Sequence, residues 1–233
     1  MSNIIVLIAS HISHEFRIKT LRQAIDSILN NTQLPNFIYI SYSKSINNDL
    51  DLPCSSIIKL FYQPTRLYQF EHYCFLSEQI NEDDIIMFLD DDDIYHTDKI
   101  KQSVEALKKY NSPVHHRHCQ FGYLNPLFTN NLEVTNIVKE KEYFDIIMHG
   151  KDLKKWFKEE YHLCKENIPG TIDVLFSYSV NSHLFTDQPL IFMRQESAPE
   201  NFHVWHIEKD NLKPTHTLIG RVNEFGKLEE FIH

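Results

Sequence analysis

DDIIMFLDDDDIYHTDKI, residues 83–100, carries a short apolar run straight into four consecutive aspartates. At an effective dielectric near 20, two carboxylates 4–6 Å apart disfavour each other by roughly 3–4 kcal/mol. The run DIIMFL (84–89) reads as a buried strand, so Asp90, Asp91, Asp92 and Asp93 leave it together at its carboxyl end. In an open parallel sheet that edge is where ligands sit. Mg²⁺ and Mn²⁺ take carboxylate oxygens and complete their shell with substrate phosphates, so a cation there turns the repulsion into binding. The plainer reading is a solvated acidic turn that caps the next helix, a role that suits Asp98.

Working outward, NIIVLIAS (3–10) is a continuous β-branched and aliphatic run, as in a strand covered on both faces. Ile18, Leu21, Ile25, Ile28 and Leu29 recur at helical spacing, and NNTQLPN ends that helix. NFIYISYS (36–43) and SIIKLFYQ (56–63) read as strands, RLYQFEHYCFLSEQI (66–80) as a helix. A further helix starts near Thr97 or Asp98 with Ile100, Val104 and Leu107 facing inward. Strand–helix alternation of this kind implies an α/β fold with a mostly parallel, Rossmann-like central sheet flanked by helices. Beyond residue 110 the pattern is less regular. SPVHHRHCQFGYL suggests a strand, NLEVTNIVKEK a strand or hairpin arm, and DIIMHGKDLKKWFKEEYHLC a strand end and then a helix. IDVLFSYSVNSH (172–183) fits either a strand or a helix, and the tail from about 208 is polar and weakly patterned. No internal repeat appears. One domain over 1–233 is expected, with a ligand-binding half at 1–110 and a second half at 111–233.

The chain has 233 residues, 42% of them apolar, and a formal net charge of −9, which argues against nucleic acid as the main partner. No apolar run approaches the roughly 18–20 residues that span a bilayer. MSNIIVLIAS has no basic leader and reads as a strand, so a cytoplasmic protein is expected. Cys54, Cys74, Cys119 and Cys164 form no Cys-x-x-Cys pair and fit reduced thiols. The five glycines are scattered, so neither G-x-G-x-x-G nor a P-loop can be written onto the chain. A diphosphate bound here needs another counter-charge.

FLDDDDIYHTDKI resembles the Asp-x-Asp segment of GT-A glycosyltransferases, family 2 in particular, in which an apolar strand ends in acidic residues before a helix. IIVLIASH and RIKTLRQAIDSILNNTQLPNFIYIS resemble that family's first strand, first helix and second strand. The resemblance covers about the first 110 residues and implies a GT-A fold, with a less regular acceptor side, and a transferase using a nucleotide-diphosphate sugar. Carried over by position, Asp92 is the principal metal ligand for Mn²⁺ or Mg²⁺ and Asp90 a ribose or metal contact. Asp93 supports them or touches the sugar, and Asp91 either joins the nucleotide-sugar site or only faces solvent. Ala9, Ser10, His11 and Arg17 are expected to line the nucleoside pocket. The family's second strand often ends in an acidic turn that helps bind the base. Here ISYSKS puts Ser41 and Ser43 in that place, so a UDP-sugar is only the default donor. Gln69 and His72 share one helical face and turn either to the core or to the nucleotide.

An inverting transfer needs a general base for the acceptor hydroxyl, whether of a glycan, a lipid-linked molecule or a protein. Asp173, a lone acid in PGTIDVLFSYSV, stands roughly where the family carries it. The plainer alternative for Asp173 is to cap a helix beside Thr171, and Asp145 and Asp187 are the other acids to consider. GT-A enzymes often supply a late histidine as third metal ligand. In RQESAPENFHVWHIEKD, His206 and then His203 are the candidates, Trp205 is a wall of the sugar site or a packing residue, and Arg194 is a partner for the diphosphate or a carboxylate. His116 and His118 share a strand face but lack the spaced ligands of a zinc site. The alternative to an enzyme is a non-catalytic nucleotide- or carbohydrate-binding module on the same scaffold.

Overall fold

The structure is a computed structural model that describes residues 2–47, 49–121, 136–138, 141–162, 172–194, 202–207, 214–222 and 228–230. Its backbone is organised on a nine-stranded sheet. Strand β1 (Ile4–Ile12) is buried along most of its length, as a two-faced apolar run must be. It lies between β2 (Phe37–Lys44) and β4 (Ile85–Phe88), parallel to both, and β2 pairs in parallel with β3 (Ile58–Tyr62) at one edge. Helix α1 (Glu15–Leu29) buries Ile18, Leu21, Ile25 and Ile28, the stripe its spacing predicts. Helix α2 (Gln69–Ser77) is shorter than the apolar pattern, and at its start the Tyr68 N–H donates to Glu71 Oε2 at 2.8 Å.

After β4 the aspartates form a turn that leads to a two-residue strand, β5 (Ile94–Tyr95), and then to α3 (Lys99–Tyr110), which buries Ile100, Val104 and Leu107. Asp98 stands at the N-cap position of α3, but its side chain accepts from the Thr32 hydroxyl at 2.9 Å and makes no capping bond. The second half supplies β6 (Val114–Phe121), β7 (Asn136–Val138), β8 (Ile146–His149) and β9 (His183–Arg194). The strand order is β3-β2-β1-β4-β8-β6-β9-β5, with β7 added against β6. β8 runs antiparallel to both β4 and β6, so the sheet is parallel on the first-half side and mixed beyond it.

Helix α4 (Gly150–Trp156) follows β8 at once and continues as a π-helical turn over Phe157–Tyr161. The ambiguous segment after residue 171 is a helix, α5 (Ile172–Ser179), with Ile172 and Phe176 buried one turn apart. The tail, in which the sequence shows little pattern, contains a separate three-stranded antiparallel sheet of β10 (Phe202–Ile207), β11 (Pro214–Val222) and β12 (Leu228–Glu230). Among the described residues no helix is long and apolar enough to cross a membrane.

Candidate active site

The carboxyl ends of β1, β2 and β4 meet at the aspartate turn. Leu89 closes the apolar run by donating its N–H to the Leu7 carbonyl at 3.1 Å, and the chain then leaves the ladder. Asp91, Asp92 and Asp93 are 7%, 9% and 1% exposed, so this is not a solvated charge run. Of the two alternatives for Asp91, the solvent-facing one does not hold, since the side chain is tied inward. Ser10 Oγ donates to its Oδ2 at 2.5 Å and Arg17 Nη1 to its Oδ1 at 2.6 Å. The same guanidinium nitrogen lies 3.1 Å from Asp92 Oδ2. Arg17, expected at the nucleoside, thus sits on the carboxylates, and Ser10 does the same. Burial works to lower the Arg17 pKa, and the charges of Asp91, Asp92 and Asp90 outweigh it and hold the guanidinium firmly protonated.

Asp90 is held from the other side. Gln69 Nε2 donates to its Oδ1 at 2.6 Å, and the Tyr143 hydroxyl donates to the same oxygen. Burial, then the charges of Asp92 and Asp91, push the Asp90 carboxyl well above the usual range, with Arg17 opposing and Asp173 adding to the rise. Asp91 is also raised by burial, against the pull of Arg17 and the Ser10 hydrogen bond. Asp173, the second residue of α5, is near enough for its charge to act on Asp90. Its own carboxyl is raised by burial and restrained by backbone N–H groups at the start of α5. It therefore combines a helix-start role with a charge that acts on Asp90.

On the β2 side, Ser41, His72 and Gln63 form a chain. The Ser41 hydroxyl lies 2.8 Å from His72 Nδ1, and Gln63 Nε2 donates to Ser41 Oγ at 3.2 Å. Burial lowers the His72 pKa to about 4, so the ring is neutral, and its buried Nε2 meets no partner among the described residues. His11 Nδ1 lies 2.8 Å from Ser43 Oγ, and its pKa is lowered by burial and by the charges of Arg66 and Arg17. Ala9 pairs with Ser41 across β1 and β2, at the same level. Groups that are neutral at pH 7 thus stand where the resembled family carries an acid.

The remaining candidates separate. Asp145 is 0% exposed and bound to His118, whose Nδ1 lies 2.8 Å from its Oδ2. Asp187 is exposed and meets Arg117 Nε at 3.5 Å. Arg194 ends β9 opposite Phe121, and His203 and His206 lie on β10 opposite Leu218 and Thr215. The side chains of Arg194, His203, Trp205 and His206 lie outside the described residues. Tyr143, Gln63 and Arg66 are additions that sequence reading misses. Tyr143 carries no local signal, since it reaches Asp90 across 53 residues of chain.

Among the described residues no three histidine, cysteine or acidic side chains are arranged as a metal cluster. The donor set still suits a hard divalent ion. Such ions are commonly held by one or two carboxylates and otherwise by substrate phosphates, and no donor among the described residues reaches Asp90 Oδ2.

A mostly parallel sheet on the first-half side, helices on its faces and an acidic turn at the end of a central strand define a GT-A-like α/β fold. No protein-family model matches the chain, and no curated protein matches it in sequence. Solved structures do match. The chain is similar to S. aureus TarS, with TM-score 0.57 and 12% identity over 83% of this chain and 37% of that one. It is also similar to S. aureus TarS 1-349 in complex with UDP-GlcNAc, with TM-score 0.54 and 11% identity over 84% of this chain and 59% of that one. A third likeness is to Francisella tularensis 2-C-methyl-D-erythritol 4-phosphate cytidylyltransferase, IspD, with TM-score 0.52 and 13% identity over 80% of this chain and 91% of that one. The chain spans from 37% to 60% of the TarS chains it matches. At these identities the likeness shows the GT-A-like fold.

Proposed function

We propose that this protein is a metal-dependent, inverting glycosyltransferase that moves a sugar from a nucleotide-diphosphate donor to a hydroxyl acceptor, with a UDP-sugar as the first donor to test. The observation that carries the reading is the buried carboxylate turn at the carboxyl end of β4, with Asp173 of α5 close enough to act on Asp90. Asp92 and Asp90 Oδ2 would hold a Mn²⁺ or Mg²⁺ ion. Bound there with the diphosphate, the ion would supply charge stabilisation for the leaving group. Ala9, His11, Ser41 and His72 form the nucleoside side, and Asp93 supports the turn. Asp173 takes the proton from the acceptor hydroxyl as its oxygen bonds to the anomeric carbon, and the bond from that carbon to the diphosphate breaks. A carboxyl raised by burial is better matched to this work near neutral pH than an ordinary aspartate. His206, His203 and Arg194 remain the proposed third ligand and diphosphate contact, and residues 111–233 the acceptor half of a single domain.

The likeness to IspD raises nucleotidyl transfer as a second reading. Against it stands the connection from β1 to α1, only Ser13 and His14, which holds no glycine-rich phosphate loop. The products separate the two, since glycosyl transfer releases a nucleoside diphosphate and nucleotidyl transfer releases pyrophosphate. The test is turnover of UDP- and GDP-sugars with EDTA and then with Mn²⁺. Activity is lost in EDTA, restored by Mn²⁺ and abolished by Asp92→Ala. Asp173→Asn lowers turnover about 10²–10⁴-fold while donor binding persists. Full turnover by Asp92→Ala would remove the metal role. Binding without turnover, unaffected by Asp173→Asn, would favour a non-catalytic module.

A further inference from the structure

Tyr143 lies far in sequence from the aspartate turn, yet its hydroxyl donates to Asp90 Oδ1. Gln69 Nε2 reaches the same oxygen at 2.6 Å and lies 2.7 Å from the Tyr143 hydroxyl. Two donors therefore converge on one carboxylate oxygen, and no donor among the described residues reaches the other. The Tyr143 ring is 3% exposed and packed by Phe70, Tyr73, Phe88 and Phe144, with ring centroids 5.5, 5.8, 5.9 and 5.2 Å away. Such a ring has little room to swing its hydroxyl elsewhere.

Tyr143 opens a 3₁₀ turn that ends at Asp145, and Asp145 is the hub of a buried polar cluster that the proposed chemistry does not use. His118 Nδ1 lies 2.8 Å from Asp145 Oδ2, which also accepts the Glu142 N–H at 2.9 Å. His116 Nδ1 donates to the Arg117 carbonyl at 2.6 Å and only packs 3.5 Å from Asp145 Oδ1, which accepts no hydrogen bond among the described residues, and the Lys99 ammonium bonds His116 Nε2. Lys99, His116, His118 and Asp145 are all 0–1% exposed. Burying this many ionisable groups is expensive in solvation, and the two hydrogen bonds to Asp145 Oδ2 fix the turn that carries Tyr143.

We propose that Tyr143 is a positioning residue of the donor site. Asp145, bonded to His118 and to the Glu142 N–H, anchors the 3₁₀ turn, with His116 and Lys99 packed beside it. The turn aims the Tyr143 hydroxyl at Asp90, and Asp90 is held so that Oδ2 alone faces the metal–nucleoside diphosphate complex. The ligand class rests on the glycosyltransferase reading above; the Tyr143–Asp90 coupling does not. A group that hydrogen-bonds a ligating carboxylate, as Tyr143 does Asp90, tunes a metal site through orientation without touching the ion.

Two measurements test it. In protein labelled with 3-fluorotyrosine and free of metal and nucleotide, the resonance of Tyr143 is identified by its loss in Tyr143→Phe. Asp90→Asn should shift that resonance, and so should His118→Gln, which loosens the anchor and leaves the hydroxyl in place. In calorimetry with UDP and Mn²⁺, Tyr143→Phe should weaken binding about tenfold, the effect of one hydrogen bond to a charged group. Its thermal unfolding without ligand should stay near that of the unsubstituted protein, which a general loosening of the fold would not allow. His118→Gln should weaken binding in the same direction and serves if Tyr143→Phe fails to fold. A fluorine resonance indifferent to Asp90→Asn, or UDP binding unchanged in both variants, overturns the proposal. If the unsubstituted protein binds no UDP with Mn²⁺, the donor assignment falls, and the fluorine result still decides whether Tyr143 holds Asp90.

Discussion

Arg17 answers a question that four adjacent aspartates pose. It lies 2.6 Å from Asp91 and 3.1 Å from Asp92, so the fold carries its own counter-cation for part of the turn. The compensation is partial, because Asp90 and Asp91 both remain raised above the usual carboxylate range, by burial first. A raised carboxyl holds its proton more tightly folded than unfolded. Its contribution to stability is therefore full below the unfolded pKa and is lost as pH rises through the folded one. Stability in EDTA should fall as pH climbs from about 4 across that window, and Mn²⁺ should offset the fall. Arg17→Met should lower stability by about 3 kcal/mol at neutral pH, as expected when one partner of a buried ion pair is removed, and by much less near pH 4. Urea unfolding at several pH values, with and without Mn²⁺, checks both slopes. A pH-independent loss would show that Arg17 serves only to pack. The sequence makes the aspartates visible as a candidate site, because an acidic run after an apolar strand is a local pattern. Arg17 as their partner is not visible, since its spacing from Asp91 belongs to the packed fold.

At the scale of elements, the parts that are legible are those whose signal is local. β1, β4, α1 and α3 follow from continuous or helically spaced apolar residues. β5 is two residues long and β9 lies outside the patterns that mark strands, so both depend on pairing with distant chain. The ambiguity over α5 is settled by burial of Ile172 and Phe176 at helical spacing. The junction of β8 and α4 gives a sharper test. Gly150 N donates to the Asp84 carbonyl at 2.8 Å, and a Cβ added at Gly150 would lie 2.0 Å from the Asn81 carbonyl oxygen. That contact is backbone, so it cannot be relieved by a side-chain rotation. Gly150→Ala should destabilise the fold by about 3 kcal/mol or more, at the upper end for overpacking, read as a lower urea midpoint with an unchanged slope. A neutral substitution would mean that the 81–84 turn can give way.

For the whole molecule, what matters is how the strands close on themselves. β4 and β5 are separated in the chain only by Leu89–Asp93, yet along the sheet they are connected through β8, β6 and β9. The ladder is reinforced past β5, where His96 N donates to the Leu190 carbonyl at 2.9 Å. The aspartate turn is thus the covalent clasp of a ring whose other links are hydrogen-bonded strands. A clasp cannot open by itself, because moving it means unzipping β5 from β9 or β4 from its neighbours. Amide exchange should therefore find Leu89, Tyr95 and His96 among the slowly exchanging positions even without ligand, and nucleotide with Mn²⁺ should change their rates little. Fast exchange at these amides, slowed by ligand, would instead mark a turn that folds around its donor. Under the proposed function, a preformed clasp makes selection a matter of fit: a donor whose phosphates do not suit the turn as it stands gains no adjustment from it.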